Sequence, residues 1–103
     1  MANMNQMMKQ AQQMEAKMGA LQKELETREY ESASGGGMVK VKVNGKQEVL
    51  AVTINKECVD PNDVELLEEL VLTAVKQAMK ESQDTVSNAM SKITGGLNIP
   101  GLF

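Results

Sequence analysis

An α+β fold is predicted for this 103-residue chain: an α-β-β-β-α protomer in which two long helices flank a three-stranded antiparallel meander. Three observations predict it. An unbroken heptad pattern opens the sequence, strict alternation around Asn44-Gly45 specifies a β-hairpin in its middle, and an unbroken helical pattern follows from Pro61 to Thr94.

The first helix is expected over 3–27. Its apolar residues fall at Met4, Met7, Ala11, Met14, Met18, Leu21 and Leu25, alternating steps of three and four, which is the a/d seam of a coiled coil. Gly19 falls on an outer position, where it weakens the helix by about 1 kcal/mol relative to Ala without touching the seam. The polar run Arg28 to Ala33 reads as a short edge strand, and Ser34-Gly35-Gly36-Gly37 as a flexible reversal. The sheet is expected over 28–55. In its hairpin Val39, Val41 and Val43 share one face, and Lys40 and Lys42 the other. A two-residue turn at Asn44-Gly45 places Val41 opposite Glu48 and Val39 opposite Leu50. A three-residue turn with a bulge places Val41 opposite Val49 instead. The first register is preferred because it gives Leu50, Val52 and Ile54 a common apolar face, and a bulge near Gln47 would reconcile the two. The long helix is expected over 61–94, with Asp60 as N-cap, Pro61 at the first helical position and acidic residues in the first turn. Its first half is apolar over much of its girth, which implies burial against both a sheet and a helix; its second half is mostly polar and is expected to project. The segment 95–103 is an apolar tail that either docks on a surface or stays a sticky end. The whole chain reads as one domain.

Composition bounds function. Two helices this long cannot both wrap one small sheet, so self-association is expected. With 2% aromatic residues and nine methionines, the core is aliphatic and adaptable, and aromatic base stacking is excluded as a binding mode. The lone Cys58 and the absence of histidine leave neither an intramolecular disulfide nor a zinc site, which places the chain in a reducing cytoplasm with no metal and no cofactor. No apolar run is long enough to span a membrane, and no secretory leader is visible. The acids at Asp60, Asp63, Glu65, Glu68 and Glu69 cap a helix and do not form an acid/base pair, and Gly35-Gly36-Gly37 precedes a strand where a phosphate loop precedes a helix. The chain is therefore expected to be no enzyme and to take no small-molecule substrate. The net charge is −3, yet without those five acids the remainder is +2. Lys9, Lys17 and Lys23 on the first helix and Lys76, Lys80 and Lys92 on the second are candidate phosphate contacts, with solubilising surface charge as the plainer alternative.

Several segments together resemble the YbaB/EbfC family of bacterial nucleoid-associated proteins. They are Met-Lys-Gln-Ala-Gln-Gln-Met in the first helix, Ser-Gly-Gly-Gly-Met-Val-Lys-Val-Lys-Val-Asn-Gly in the hairpin, Glu-Leu-Leu-Glu-Glu-Leu-Val in the second helix and Gly-Gly-Leu-Asn-Ile-Pro-Gly-Leu at the end. The similarity covers nearly the whole chain in the right order. One departure is Lys56, where the family often has Pro. The resemblance implies a tweezer-like homodimer whose protruding helices hold double-stranded DNA with little or modest sequence preference, organising the nucleoid or modulating transcription. On this reading Val39, Val41, Val43, Val52, Ile54, Leu70 and Ala74 form the rigid dimer centre, and the six lysines above hold the duplex. A second function class is a prefoldin-like chaperone or adaptor that grips apolar clients with its methionine-rich seam.

Overall fold

The computed structural model describes residues 3–95, and the element order is α1 (Met4–Thr27), β1 (Glu29–Ser34), β2 (Val39–Asn44), β3 (Val49–Ile54) and α2 (Val64–Gly95). This is the α-β-β-β-α order read from the sequence. The tail beyond Gly95 lies outside the described residues.

The strands form one antiparallel sheet in the order β1-β2-β3. Val39, Val41 and Val43 point from the central strand to one face and are fully buried there, beside Tyr30 of β1 and beneath Ala74 and Ala78 of α2. Small residues on α2 let its backbone lie close over β1 and the valine-bearing β2, so the core is thin and mostly aliphatic. α2 covers β1 and β2, and β3 reaches past it. Gly35 is fixed by the same close approach: with φ +59, a Cβ there would sit 2.9 Å from Leu70 Cδ2.

The hairpin corrects both registers expected from the sequence. Val39 pairs with Ile54, Val41 with Val52 and Val43 with Val49, with a bulge that leaves Leu50 as the extra residue. The turn is therefore centred on Lys46 and not on Asn44-Gly45. Asn44 heads it: its Oδ1 accepts from the Lys46 N–H at 2.9 Å and the Glu48 N–H at 3.1 Å, and Gln47 takes the left-handed conformation at φ 67. The sequence signal of Asn-Gly was real turn chemistry, but the glycine serves a different end. A Cβ on Gly45 would collide with the Leu25 carbonyl oxygen, and its N–H donates to the Glu26 carbonyl at 3.1 Å. Gly45 thus docks the end of α1 onto the hairpin.

The start of α2 also differs from expectation. Asp60 heads a turn, its Oδ1 accepting from the Asn62 N–H at 2.9 Å, and the helix opens at Val64 with the Asp63 carboxylate accepting from the Leu66 N–H at 3.4 Å. Pro61 lies in the turn before the helix.

From Ser34, whose hydroxyl donates to the Leu70 carbonyl, α2 runs along β1 to Ser32, whose hydroxyl donates to Glu81, and reaches Ser82 beside the hairpin turn. Ser82 is fully buried; its Oγ donates to the Asn44 carbonyl and accepts from Gln47 Nε2, both at 2.9 Å. Beyond Ser82 the helix leaves the sheet on the side from which α1 arrives. The two helices pack there, α1 running toward the sheet and α2 away from it. The residues that lose exposure follow that arrangement: Met14, Met18, Leu21 and Leu25 on α1, and Thr85, Val86, Ala89 and Met90 on α2. The distal half of α2 projects beyond the sheet as expected, but it does so as one member of a two-helix arm. The chain measures 75 × 23 × 16 Å with a radius of gyration of 20.1 Å. A compact chain of this length would have about 13 Å.

Candidate nucleic-acid interface

All six candidate lysines are exposed. Helical geometry at about 100° per residue divides them into groups. On α1, Lys9 and Lys23 lie on the ridge opposite the heptad seam, about 21 Å apart along the axis, whereas Lys17 sits on a flank. That outward ridge also carries Asn5, Gln12, Ala16 and Ala20 and holds no carboxylate; Glu15, Glu24 and Glu26 are on the flanks. On α2, Lys76 and Lys80 share the ridge that faces away from the sheet, about 6 Å apart along the axis, with Gln83 and Ser87 continuing it. Lys92 falls instead on the side of α2 aligned with Ala74, near the far end of the arm. The structure therefore aligns Lys9 with Lys23 on one face, about 21 Å apart, brings Lys76 together with Lys80, and sets Lys17 and Lys92 on other faces.

The arrangement polarises the molecule. The acids Asp60, Asp63, Glu65, Glu68 and Glu69 are all exposed at the start of α2, and Ser34 and Leu70 place that end of the sheet opposite the Gly45 turn where α1 docks. Five carboxylates gather at that end; on the arm Lys9, Lys17, Lys23 and Lys92 alternate with Glu15, Glu24, Glu26 and Asp84, so ammonium groups and carboxylates there are sorted by helix face and not by end. Ammonium groups contact phosphate oxygens without reading sequence. Lys40 and Lys42 lie on the open face of the sheet, where Lys42 Nζ is 3.6 Å from the Glu29 carboxylate. An exposed pair of this kind contributes little to stability.

The residues expected at a dimer centre separate into three groups. Val39, Val41, Val43 and Ala74 are completely buried inside a single chain, so they belong to the protomer's own core and have no surface to offer a partner. Leu70 is half-buried against the Gly35 turn. Val52 and Ile54 are open, 46% and 40% exposed. The sequence reading missed their neighbours. Every residue of β3 is exposed, and a mostly apolar groove of about 460 Å³, with Glu68 as its one charged lining residue among those described, separates Ile54 from Leu67, Val71, Leu72 and Val75 of α2. The signal that could have found it is the sheet order: a meander under one helix leaves its last strand uncovered. Among the described residues, no cluster of three or more His, Cys, Asp or Glu is placed to hold a metal ion, and no helix is long and apolar enough to cross a membrane.

The model of the YbaB/EbfC DNA-binding family matches residues 1–97. The chain belongs to that family. Among its relatives, a nucleoid-associated protein of Desulforamulus reducens is 54% identical over 101 residues, covering 98% of this chain and 96% of that protein. Nucleoid-associated protein TTE0040 of Caldanaerobacter subterraneus subsp. tengcongensis is 52% identical, covering 98% and 91%. The fold is likewise that of the uncharacterized protein HP0035 from Helicobacter pylori, whose crystal structure matches with a TM-score of 0.73 at 21% identity over 91% of this chain and 99% of that one. Membership in the YbaB/EbfC family gives the exposed lysine ridges a context that charge alone does not supply.

Proposed function

We propose that this chain acts as a homodimer that binds double-stranded DNA with little or modest sequence preference, and so helps to organise the nucleoid or modulate transcription in the cytoplasm. The observation that carries this reading is the carboxylate-free ridge of Lys9 and Lys23 on an arm that stands clear of the sheet, in a chain of a DNA-binding family.

The dimer surface in this proposal is β3 with the adjoining groove of α2. The two edges of the sheet differ in kind. β1 carries Glu29 and Glu31, charges that discourage another strand from pairing, whereas β3 reads Val-Leu-Ala-Val-Thr-Ile with no charge and no proline. An unguarded apolar edge in a stable protein is covered by a partner, and a second copy offers the same edge across a two-fold axis. Val52, Ile54 and Leu70 of the expected interface stay in it, joined by Val49, Leu67, Val71 and Leu72. Pairing there leaves the arms of both copies free to approach a duplex from two sides.

Lys9, Lys23, Lys76 and Lys80 act as phosphate contacts, with Lys17 and Lys92 as flanking ones. Suppose that these four lysines of both copies neutralise about eight phosphates. The logarithm of affinity then falls against that of salt with a slope near −7.2, and raising salt from 50 to 200 mM weakens binding roughly 20,000-fold. Fluorescence anisotropy of a labelled duplex measures this. Lys9→Glu with Lys23→Glu weakens all duplex sequences alike and flattens the slope. A salt-independent affinity, or selective loss at one sequence, counts against phosphate recognition. Suppressed aggregation of an unfolded client without duplex binding would favour the chaperone class instead.

A further inference from the structure

The outward ridge of α1 runs Asn5, Lys9, Gln12, Ala16, Ala20 and Lys23 in steps of three and four residues, and all of these residues are exposed. Lys9 and Lys23 stand symmetrically, each about 10 Å along the axis from Ala16. Between them the alanines offer only methyl groups, so Gln12 is the one side chain on that stretch of the ridge able to hydrogen-bond. Its amide is also uncommitted. Gln22, on a flank, donates its amide to Glu26 at 3.3 Å, whereas the side chain of Gln12 makes no hydrogen bond to any described residue.

We propose that Gln12 reads adenine in the major groove and gives the complex a preference for A·T pairs. This inference rests on the DNA-binding reading above and names the residue that adds base recognition to it. An α-helix fits the major groove, which is about 12 Å wide. The roughly 21 Å from Lys9 to Lys23 exceeds that width, so with α1 lying obliquely in the groove each ammonium group meets the backbone on its own side while the ridge between them faces the base edges. The short alanines let the helix sink until Gln12 reaches those edges. There Oε1 accepts from the adenine N6 amino group and Nε2 donates to N7, a bidentate pair that guanine, with acceptors at both O6 and N7, cannot form. The methyl groups of Ala16 and Ala20 suit contact with the thymine methyl. Lysines thus set position and affinity, and Gln12 sets base preference.

Fluorescence anisotropy on the full chain tests this with two duplexes of equal length, one with an A·T centre and one with a G·C centre. The parent protein should bind the A·T duplex at least about fivefold more tightly. Gln12→Ala, which suits an exposed helical position, should abolish that preference and leave the salt slope, a count of phosphate contacts, as it was. Replacing the adenines by 7-deazaadenine removes the N7 acceptor; it should weaken the parent protein to the level of the variant and leave the variant unaffected. Equal binding of the two duplexes by the parent, a preference that survives Gln12→Ala, or indifference to 7-deazaadenine overturns the role of Gln12 while the DNA-binding reading stands. No duplex binding even at low salt overturns both.

Discussion

Val52→Asp probes the dimer surface without touching the protomer's core. Val52 sits opposite Val41 on the face that carries the core, but α2 does not reach it, and 46% of it stays exposed. Full burial of a valine contributes about 1.5 to 3 kcal/mol, so covering the remaining half adds about 1 kcal/mol per copy and about 2 kcal/mol in a two-fold interface. Aspartate forfeits that and sets two carboxylates close to the symmetry axis, each losing part of its hydration at about 1 to 2 kcal/mol. The sum, about 4 to 6 kcal/mol, weakens the dimer by three to four powers of ten. Within a lone protomer the new carboxylate faces water, so far-UV circular dichroism should be unchanged. Sedimentation equilibrium across a concentration series checks the expectation: a dimer for the parent protein and a folded monomer at micromolar concentration for the variant. A variant that remains dimeric with undiminished affinity would refute β3 as the contact.

Two other substitutions address the joint that holds the arm. Gly45→Ala forces a methyl group into the Leu25 carbonyl and breaks the hydrogen bond to Glu26, and should cost about 3 kcal/mol, seen as an earlier urea midpoint. Ser82→Ala leaves the buried Gln47 amide without its acceptor and the Asn44 carbonyl without the hydroxyl, and should cost about 2 kcal/mol in the same assay. A loss below about 0.5 kcal/mol in either would show that the hairpin turn does not anchor the helices.

Much of this was legible in the sequence because it depended on local rules. The heptads placed α1, alternation placed β2, and Val39, Val41 and Val43 declared a buried face. What failed depended on contacts between distant segments. Asn44-Gly45 reads as a two-residue turn, whereas in the fold the glycine serves the close approach of α1 and the turn is centred on Lys46. Asp60 and Asp63 are both competent caps, and nothing in their spacing tells which one the helix uses. The valines assigned to a dimer centre were correctly recognised as buried, but periodicity cannot say whether the covering helix belongs to the same chain. Ser82 gave no signal, since a serine in a polar stretch looks solvated until a hairpin turn lies over it. The six lysines were visible as exposed positions, yet their separation into ridges depends on which side of each helix faces the arm's interior.

In the proposed complex two copies, joined through β3, hold one duplex with their exposed lysines. The mass of the species formed with a short duplex at low salt, measured by analytical ultracentrifugation, decides whether they do. Two chains per duplex, dissociating as salt is raised, are the expected result. One chain per duplex, or a dimer that never associates with it, would contradict the proposal.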